Sequence, residues 1–355
     1  MRIDLLRAHH IRCFDAVEIV PGPRLNWLVG PNGAGKTSLL EAVYLLSHGH
    51  SFRASARDAL IQRDHAGFDL FVDLVRKTAR HRLGLARGDG QWRVQIDGEP
   101  SATLSPLLEL CAVVCFEPGS HALITGAAEN RRGFLDWGVF HVEHHTLDWW
   151  REYRRALRQR NALLKRGGGP DQFGFWEEEL GRLGLYIDDA RRAYLEIFRE
   201  KVLGLATILL PELGEPHLSF RSGWDREQPL QHALAEHRER DVARGHTRLG
   251  PHHADWRLEF ELAPGREFLS RGQTKLAALA CVLAQAVAFA CQWGEWPLLC
   301  LDDLTSELDE VHQRNVLEWV SGQPTQVWLT ATHLPAGGIP EGKQFHVEHG
   351  ILRPA

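Results

Sequence analysis

"FLSRGQTKLAALACVLAQAV", residues 268–287, sets a Ser-x-Gly-Gln turn directly before a long, uncharged, alanine-rich run. Three readings compete for it: a membrane-crossing segment, a helix of a soluble core, or one half of a site completed elsewhere in the chain. Residues 276–294 carry no formal charge and are long enough to cross a bilayer. The seven alanines, with Gln285 and Gln292, suit close packing against protein better than contact with lipid. A buried helix is therefore expected, and the turn in front of it needs its own explanation.

The rest of the composition is that of a soluble globular protein. The 355 residues are 44% hydrophobic and 25% charged, which leaves enough apolar surface for one large domain or two medium ones. A formal net charge of −5 argues against coating nucleic acid by bulk charge, so any contact with DNA needs a local basic patch. The six cysteines, Cys13, Cys111, Cys115, Cys281, Cys291 and Cys300, show no Cys-x-x-Cys spacing and read as reduced thiols of a cytoplasmic protein. The opening residues MRIDLLRAHH have no continuous apolar run, so no secretory signal is expected.

Along the chain, residues 3–14, 16–20 and 25–29 have strand character and 37–47 helical periodicity. Two further strand-like runs, 68–75 and 92–96, flank a charged stretch read as a loop. From about Glu129 the pattern turns helical, with 131–137, 147–165, 173–208 and 230–243 broken by Gly167-Gly168-Gly169-Pro170 and by Pro211 and Pro216. After Pro297 strand and helix alternate again, at 298–301, 311–320, 327–331 and 345–348. The fold expected is an α/β core split by a mainly helical insertion.

Gly30-Pro31-Asn32-Gly33-Ala34-Gly35-Lys36-Thr37 fits G-x-x-x-x-G-K-[ST], after a strand and before a helix. The glycines let backbone N–H groups curl around a phosphate, and the helix N-terminus adds positive potential. Lys36 is placed for the β- and γ-phosphates and the Thr37 hydroxyl for Mg²⁺, so the expected ligands are ATP and Mg²⁺. Such a loop needs a carboxylate at the end of an apolar strand, and Leu298-Leu299-Cys300-Leu301-Asp302-Asp303 supplies two. Asp302 fits the metal-organising role and Asp303 the polarising of an attacking water.

Leu269-Ser270-Arg271-Gly272-Gln273 resembles the Leu-Ser-Gly-Gly-Gln signature turn of the ATP-binding-cassette (ABC) superfamily, with Arg271 in place of the first glycine. That resemblance implies an ABC-type P-loop ATPase head with an N-terminal β-subdomain, split by a second helical lobe. It implies that Ser270, Arg271, Gly272 and Gln273 meet the γ-phosphate of nucleotide held by another subunit. Ser306-Glu307-Leu308-Asp309 resembles the loop that follows the acidic strand and crosses the dimer interface, with Ser306 and Asp309 as its site residues. His333, after the strand at 327–331, stands where the superfamily keeps its γ-phosphate-sensing histidine. The superfamily's linking glutamine has no counterpart between Ser101 and Asn130, and Glu117 is the candidate substitute. The lobes implied are 1–115 with 295–355 for the ATP-binding core, and 116–294 for the helical lobe carrying the signature at 269–273.

The two motifs lie about 235 residues apart, counted from Gly35 to Ser270, further than a transporter ATPase needs. The insertion has no long heptad register and no Cys-x-x-Cys hook. Gly49-His50-Ser51-Phe52-Arg53, Arg131-Arg132-Gly133-Phe134-Leu135-Asp136-Trp137 and Gly250-Pro251-His252-His253-Ala254-Asp255 resemble strings of the RecF family of bacterial gap-repair ATPases. Membership would imply an ATP-dependent homodimer on gapped or junction DNA, slow hydrolysis, and RecR and RecO as partners in loading recombinase. The alternatives are a transporter's ATPase module and a small-molecule kinase with the same loop.

Arg151, Arg154, Arg155 and Arg158 lie in the densest basic stretch, which reads either as a solvated helix surface or as a DNA patch. Arg53, after the first helix, reads as a γ-phosphate or DNA contact, or as an ordinary surface arginine. The histidines of His141-Val142-Glu143-His144-His145 lack the order of a zinc protease and read as a polar helix or loop.

Overall fold

The computed structural model describes residues 1–54, 56–334 and 341–355. In chain order it opens with β1 (Arg2–Ile11), β2 (Phe14–Ile19), β3 (Leu25–Val29) and α1 (Lys36–His48). Next come β4 (Gly67–Arg76), β5 (Ala79–Gly88), β6 (Gln91–Ile96), β7 (Glu99–Ser101), α2 (Ser105–Leu110) and β8 (Val113–Phe116). The middle holds α3 (Ala122–Thr125), α4 (Ala128–Val142), α5 (Thr146–Arg166), α6 (Pro170–Leu209), β9 (Pro216–Arg221), α7 (Leu230–Glu236), α8 (Arg238–Arg244) and β10 (Asp255–Phe260). The last part is α9 (Arg271–Trp293), β11 (Leu298–Leu301), α10 (Leu304–Glu307), α11 (Glu310–Gly322), β12 (Val327–Ala331), β13 (Gly342–Glu348) and β14 (Ile351–Pro354).

These elements form two compact units, Met1–Ser120 with Arg271–Ala355, and His121–Ser270. The first contains two six-stranded sheets, ordered β2-β1-β4-β5-β6-β7 and β14-β13-β3-β12-β11-β8. In the second of these sheets β13, β3, β12, β11 and β8 run parallel, and only β14 is antiparallel. Helix α1 packs on β8 and β12 of this sheet and on β1 of the other. Buried between them, its apolar side chains Leu39, Leu40, Val43, Leu45 and Leu46 are not confined to one stripe.

The stretch read as a charged loop between two strands is β5, which pairs with both β4 and β6. Its inward side chains are Leu83, Leu85 and Arg87, and the buried arginine bonds Asp58, so charge in the sequence masked the two-residue period. Helix α9 is buried along most of its length and packs against β8. It therefore groups with the unit Met1–Ser120 and Arg271–Ala355 instead of the helical lobe, which moves the second boundary from about 294 to Ser270. Its alanines let the helix axis approach the sheet closely.

The unit His121–Ser270 is mainly helical, with the antiparallel ribbon β9–β10 as its only paired strands among the described residues. The 40-residue α6 packs against α4, α5, α7 and β9. Gly184 lies where it meets α7: a Cβ there would stand 2.6 Å from Leu230 Cδ2.

Candidate nucleotide site

The phosphate loop leaves β3 at Gly30 and enters α1 at Lys36. Gly35 adopts φ +116°, and a Cβ on it would lie 2.7 Å from Cys13 Sγ and 2.8 Å from the Phe14 ring. Conformation and space both demand glycine there. A Cβ on Gly30 would lie 2.0 Å from the carbonyl oxygen of Val347 on β13, so the neighbouring strand seats the start of the loop. Pro31, Asn32 and Gly33 form the exposed crest, while Ala34 is buried.

A cleft of about 710 Å³ opens over this loop, lined among others by Lys36, Thr37, Arg53, Glu117, Asp302 and Asp303. Lys36 Nζ donates to the carbonyls of Gly30 at 2.7 Å and Pro31 at 3.0 Å. Burial lowers its pKa, and Asp303 and then Asp302 oppose that shift. Thr37 Oγ1 is 2.9 and 3.0 Å from the two carboxylate oxygens of Asp302. β11 brings Asp302 to the end of its strand, where its N–H donates to Phe116 O on β8. Burial holds the Asp302 carboxyl above the usual carboxylate range, against the hydroxyls of Thr330 and Thr37, which favour the charged form.

Asp303 has φ +53°, a left-handed conformation uncommon for a residue with a side chain. Its N–H donates to Thr330 Oγ1 at 2.7 Å, and its Oδ1 accepts from Ser306 Oγ at 2.8 Å. The backbone bend turns the second carboxylate of the pair into the cleft beside Lys36. Such a conformation stores strain that the surrounding bonds must hold.

Other expected residues are spread more widely. His333 is exposed and lines a neighbouring cleft with Gly30, Pro31, Asn32 and His346. Asp309 caps α11, accepting from the N–H groups of Val311 and His312, so it has a local structural role. Arg271, Gly272 and Gln273 start α9, directly after Ser270. One turn further along α9, Lys275 Nζ reaches Glu307 Oε2 at 2.7 Å, tying this helix to the end of α10, which follows the acidic strand. Glu117 follows β8, lines the main cleft, and its Oε2 accepts from Gly119 N at 2.5 Å. Arg53 is exposed and lines the same cleft, 3.9 Å from Glu41 Oε2.

The basic stretch forms helix α5, with Arg151, Arg154, Arg155 and Arg158 exposed. Arg151 pairs with Asp148 and Arg154 lies over the Trp150 ring. Arg160, from the same run, is fully buried. It donates to Glu177, Asp241, Thr247 and Leu234 O, which occupies every N–H of its guanidinium. His141 is buried on α4, and among the described residues no cluster of three metal-ligating side chains occurs.

The sequence reading missed Thr330 and Arg12. Thr330 sits inside β12, where a hydroxyl within an apolar run carries no local signal. Arg12 lines the cleft and donates to both oxygens of the buried Glu41, at 3.0 and 2.7 Å. Ser51 Oγ joins that carboxylate at 2.5 Å and accepts from Arg53 N, which places the Arg53 loop against α1.

The chain matches the family described as "RecF/RecN/SMC N terminal domain" over residues 2–334. It is 48% identical over 360 residues to the "DNA replication and repair protein RecF" of Stenotrophomonas maltophilia (strain R551-3), covering 99% of each. It is 35% identical to the RecF of Shewanella baltica (strain OS155 / ATCC BAA-1091), covering 99% of this chain and 98% of that one. Among solved structures, a RecF described as a "recombination mediator protein" bound to ATP superposes with a TM-score of 0.90 at 24% identity. That match covers 99% of this chain and 97% of the other. An Smc head domain from Pyrococcus furiosus superposes with a TM-score of 0.59 at 15% identity, over 99% of this chain and 95% of the other. With near-complete coverage at these identities, and with an ABC-type ATPase head as its fold, the chain belongs to the RecF family of DNA replication and repair proteins.

Proposed function

We propose that this protein is an ATP-driven DNA-binding switch of recombinational gap repair. The observation that carries the reading is the gathering of Lys36, Thr37, Asp302 and Asp303 in one cleft, from two segments of the fold some 265 residues apart in sequence. Loop N–H groups and the α1 N-terminus cradle the phosphates of ATP, and Lys36 exchanges its bonds to Gly30 and Pro31 for phosphate oxygens. Thr37 and Asp302 are an oxygen pair suited to Mg²⁺ that arrives with the nucleotide: two protein donors are too few for a resident ion, and phosphates and water complete the shell. When bound, the ion neutralises charge on the transferring phosphate.

Asp303 orients water for attack on the γ-phosphate. Its carboxylate is one methylene shorter than glutamate, and its Oδ1 already accepts from Ser306, which suits slow turnover. Ser270 to Gln273 of a second subunit close over the γ-phosphate, Ser306 and Asp309 lie at that interface, and His333 senses the phosphate. Arg53, in the same cleft, is assigned to the nucleotide in preference to DNA. Arg151, Arg154, Arg155 and Arg158 give α5 a basic face for a DNA backbone.

The likeness to RecF chains described within the RecFOR pathway supports RecR and RecO as partners, gapped or junction DNA as the target, and a cytoplasmic, nucleoid-associated location. ATP binding forms the homodimer, and a weak, DNA-stimulated hydrolysis releases it.

Sizing the protein with and without ATP and gapped DNA tests this. Wild type dimerises with ATP, Asp303→Asn accumulates as a dimer, and Lys36→Ala stays monomeric. A wild type that hydrolyses ATP rapidly as a monomer without DNA contradicts the switch.

A further inference from the structure

At the end of the β9–β10 ribbon two glycine turns cross. Gly223 has φ +88° and Gly250 φ +128°, and Gly250 N donates to Gly223 O at 3.2 Å. A Cβ on Gly223 would lie 2.2 Å from Gly250 O, and one on Gly250 would lie 2.3 Å from Tyr153 Oη. Neither turn admits a side chain, by conformation or by space. The crossing brings Arg221 and Arg248, each two residues before its glycine, to one cleft of about 580 Å³.

Arg192 and Arg226 line the same cleft and are already held in place. Arg192 bonds Asp188 at 2.9 Å and Ser222 Oγ at 2.7 Å, with its guanidinium 5.3 Å from the Phe220 ring centre. Arg226 bonds Asp188 and Asp189, at 2.8 and 3.0 Å, and lies over Trp224. Arg221 and Arg248 are differently placed. The nearest carboxylate oxygen to Arg221 is Asp255 Oδ2 at 4.0 Å, and that group is already engaged by Arg131 at 2.7 and 3.2 Å. Arg248 is exposed and makes no ion pair among the described residues. Asp225 is the sole carboxylate among the lining residues, against four arginines.

We propose that this crossed-glycine cleft is a phosphate seat for the DNA backbone, with Arg221 and Arg248 as its open donors and Arg192 and Arg226 as its fixed floor. The proposal rests on the reading that the protein binds DNA, and it says where part of that contact is made. Guanidinium forks match phosphate oxygens in pairs, and stacking on a ring leaves their in-plane N–H groups free to donate. A backbone seat reads charge without base sequence, so its signature is salt dependence.

The test measures binding of the full-length protein, with ATP, to gapped DNA over a range of salt concentrations. Arg221→Ala with Arg248→Ala is expected to weaken binding at least tenfold at physiological salt. It should also flatten the slope of log K against log salt by about 1.8, from two released contacts of about 0.9 each. ATP binding and the unfolding midpoint stay at wild-type values, since both side chains are exposed. Arg221→Lys with Arg248→Lys is expected to keep most of the slope. An alanine pair with wild-type affinity and slope, or a lysine pair as weak as the alanine pair, overturns the seat while leaving DNA binding in place. A wild type whose DNA binding is absent or insensitive to salt removes the DNA reading itself.

Discussion

Thr330 Oγ1 stands 2.6 Å from Asp302 Oδ1, and the same oxygen accepts the backbone N–H of Asp303 at 2.7 Å. One hydroxyl on β12 therefore fixes both members of the acidic pair, which β11 carries. Thr330→Val removes a donor from a buried carboxylate and strands an N–H, each costing about 1–3 kcal/mol. Hydrolysis is expected to fall at least tenfold with nucleotide affinity less affected, and Thr330→Ser to restore most of it. A valine variant with wild-type turnover shows that the strained Asp303 needs no such support.

The pH dependence of the proposed metal site follows from Asp302. Its carboxyl pKa is raised in the fold, so a bound proton competes with Mg²⁺ at pH values above the ordinary carboxylate range. Mg²⁺-dependent nucleotide affinity is expected to decline as pH falls through that raised pKa. Without metal the linkage has the opposite sign. A raised acid pKa favours the folded state at low pH, and that contribution is lost as pH rises from the unfolded value through the folded one. Asp302→Asn should therefore raise the metal-free Tm at neutral pH while abolishing the Mg²⁺ response. Thermal melts at several pH values with EDTA, set beside Mg²⁺ titrations, check both halves.

Arg160 is a buried cation whose removal leaves Glu177 and Asp241 without their shared partner, although Arg238 still reaches Glu177 at 2.5 Å. Arg160→Ala is expected to destabilise the helical unit by about 3–5 kcal/mol. Denaturant unfolding, followed by a probe in each unit, should show the loss in the transition of the helical one.

On the outer face of the same helix, Arg154→Glu with Arg158→Glu is expected to weaken DNA binding and leave ATP binding intact. A salt titration with unchanged affinity sinks the assignment of α5 to DNA.

The phosphate loop was legible because its chemistry is local: eight consecutive residues carry the turn, the lysine and the hydroxyl. Asp302 and Asp303 were legible for a related reason, since they end an apolar strand and need only that context. Thr330 was hidden because its role exists only when β12 lies beside β11. Arg160 looked like one of a run of surface charges, and its partners lie 17 and 81 residues further along the chain. β5 failed on the same point, because Arg87 faces inward where an alternating pattern calls for an apolar side chain. Periodicity sorts polar from apolar, and it misplaces a charge whose counterion comes from elsewhere in the fold.

Strand β3, which delivers the phosphate loop, lies between β12 and β13. The ribosome finishes the eight loop residues first, and both flanking strands, β12 and β13, emerge long after them. Gly30 cannot be seated against Val347, nor Asp302 braced by Thr330, until that late segment has docked. A nucleotide held by this loop would therefore require β12 and β13 to be in place. A chain broken off before β12 carries every residue of the phosphate loop yet lacks both strands that flank and seat it.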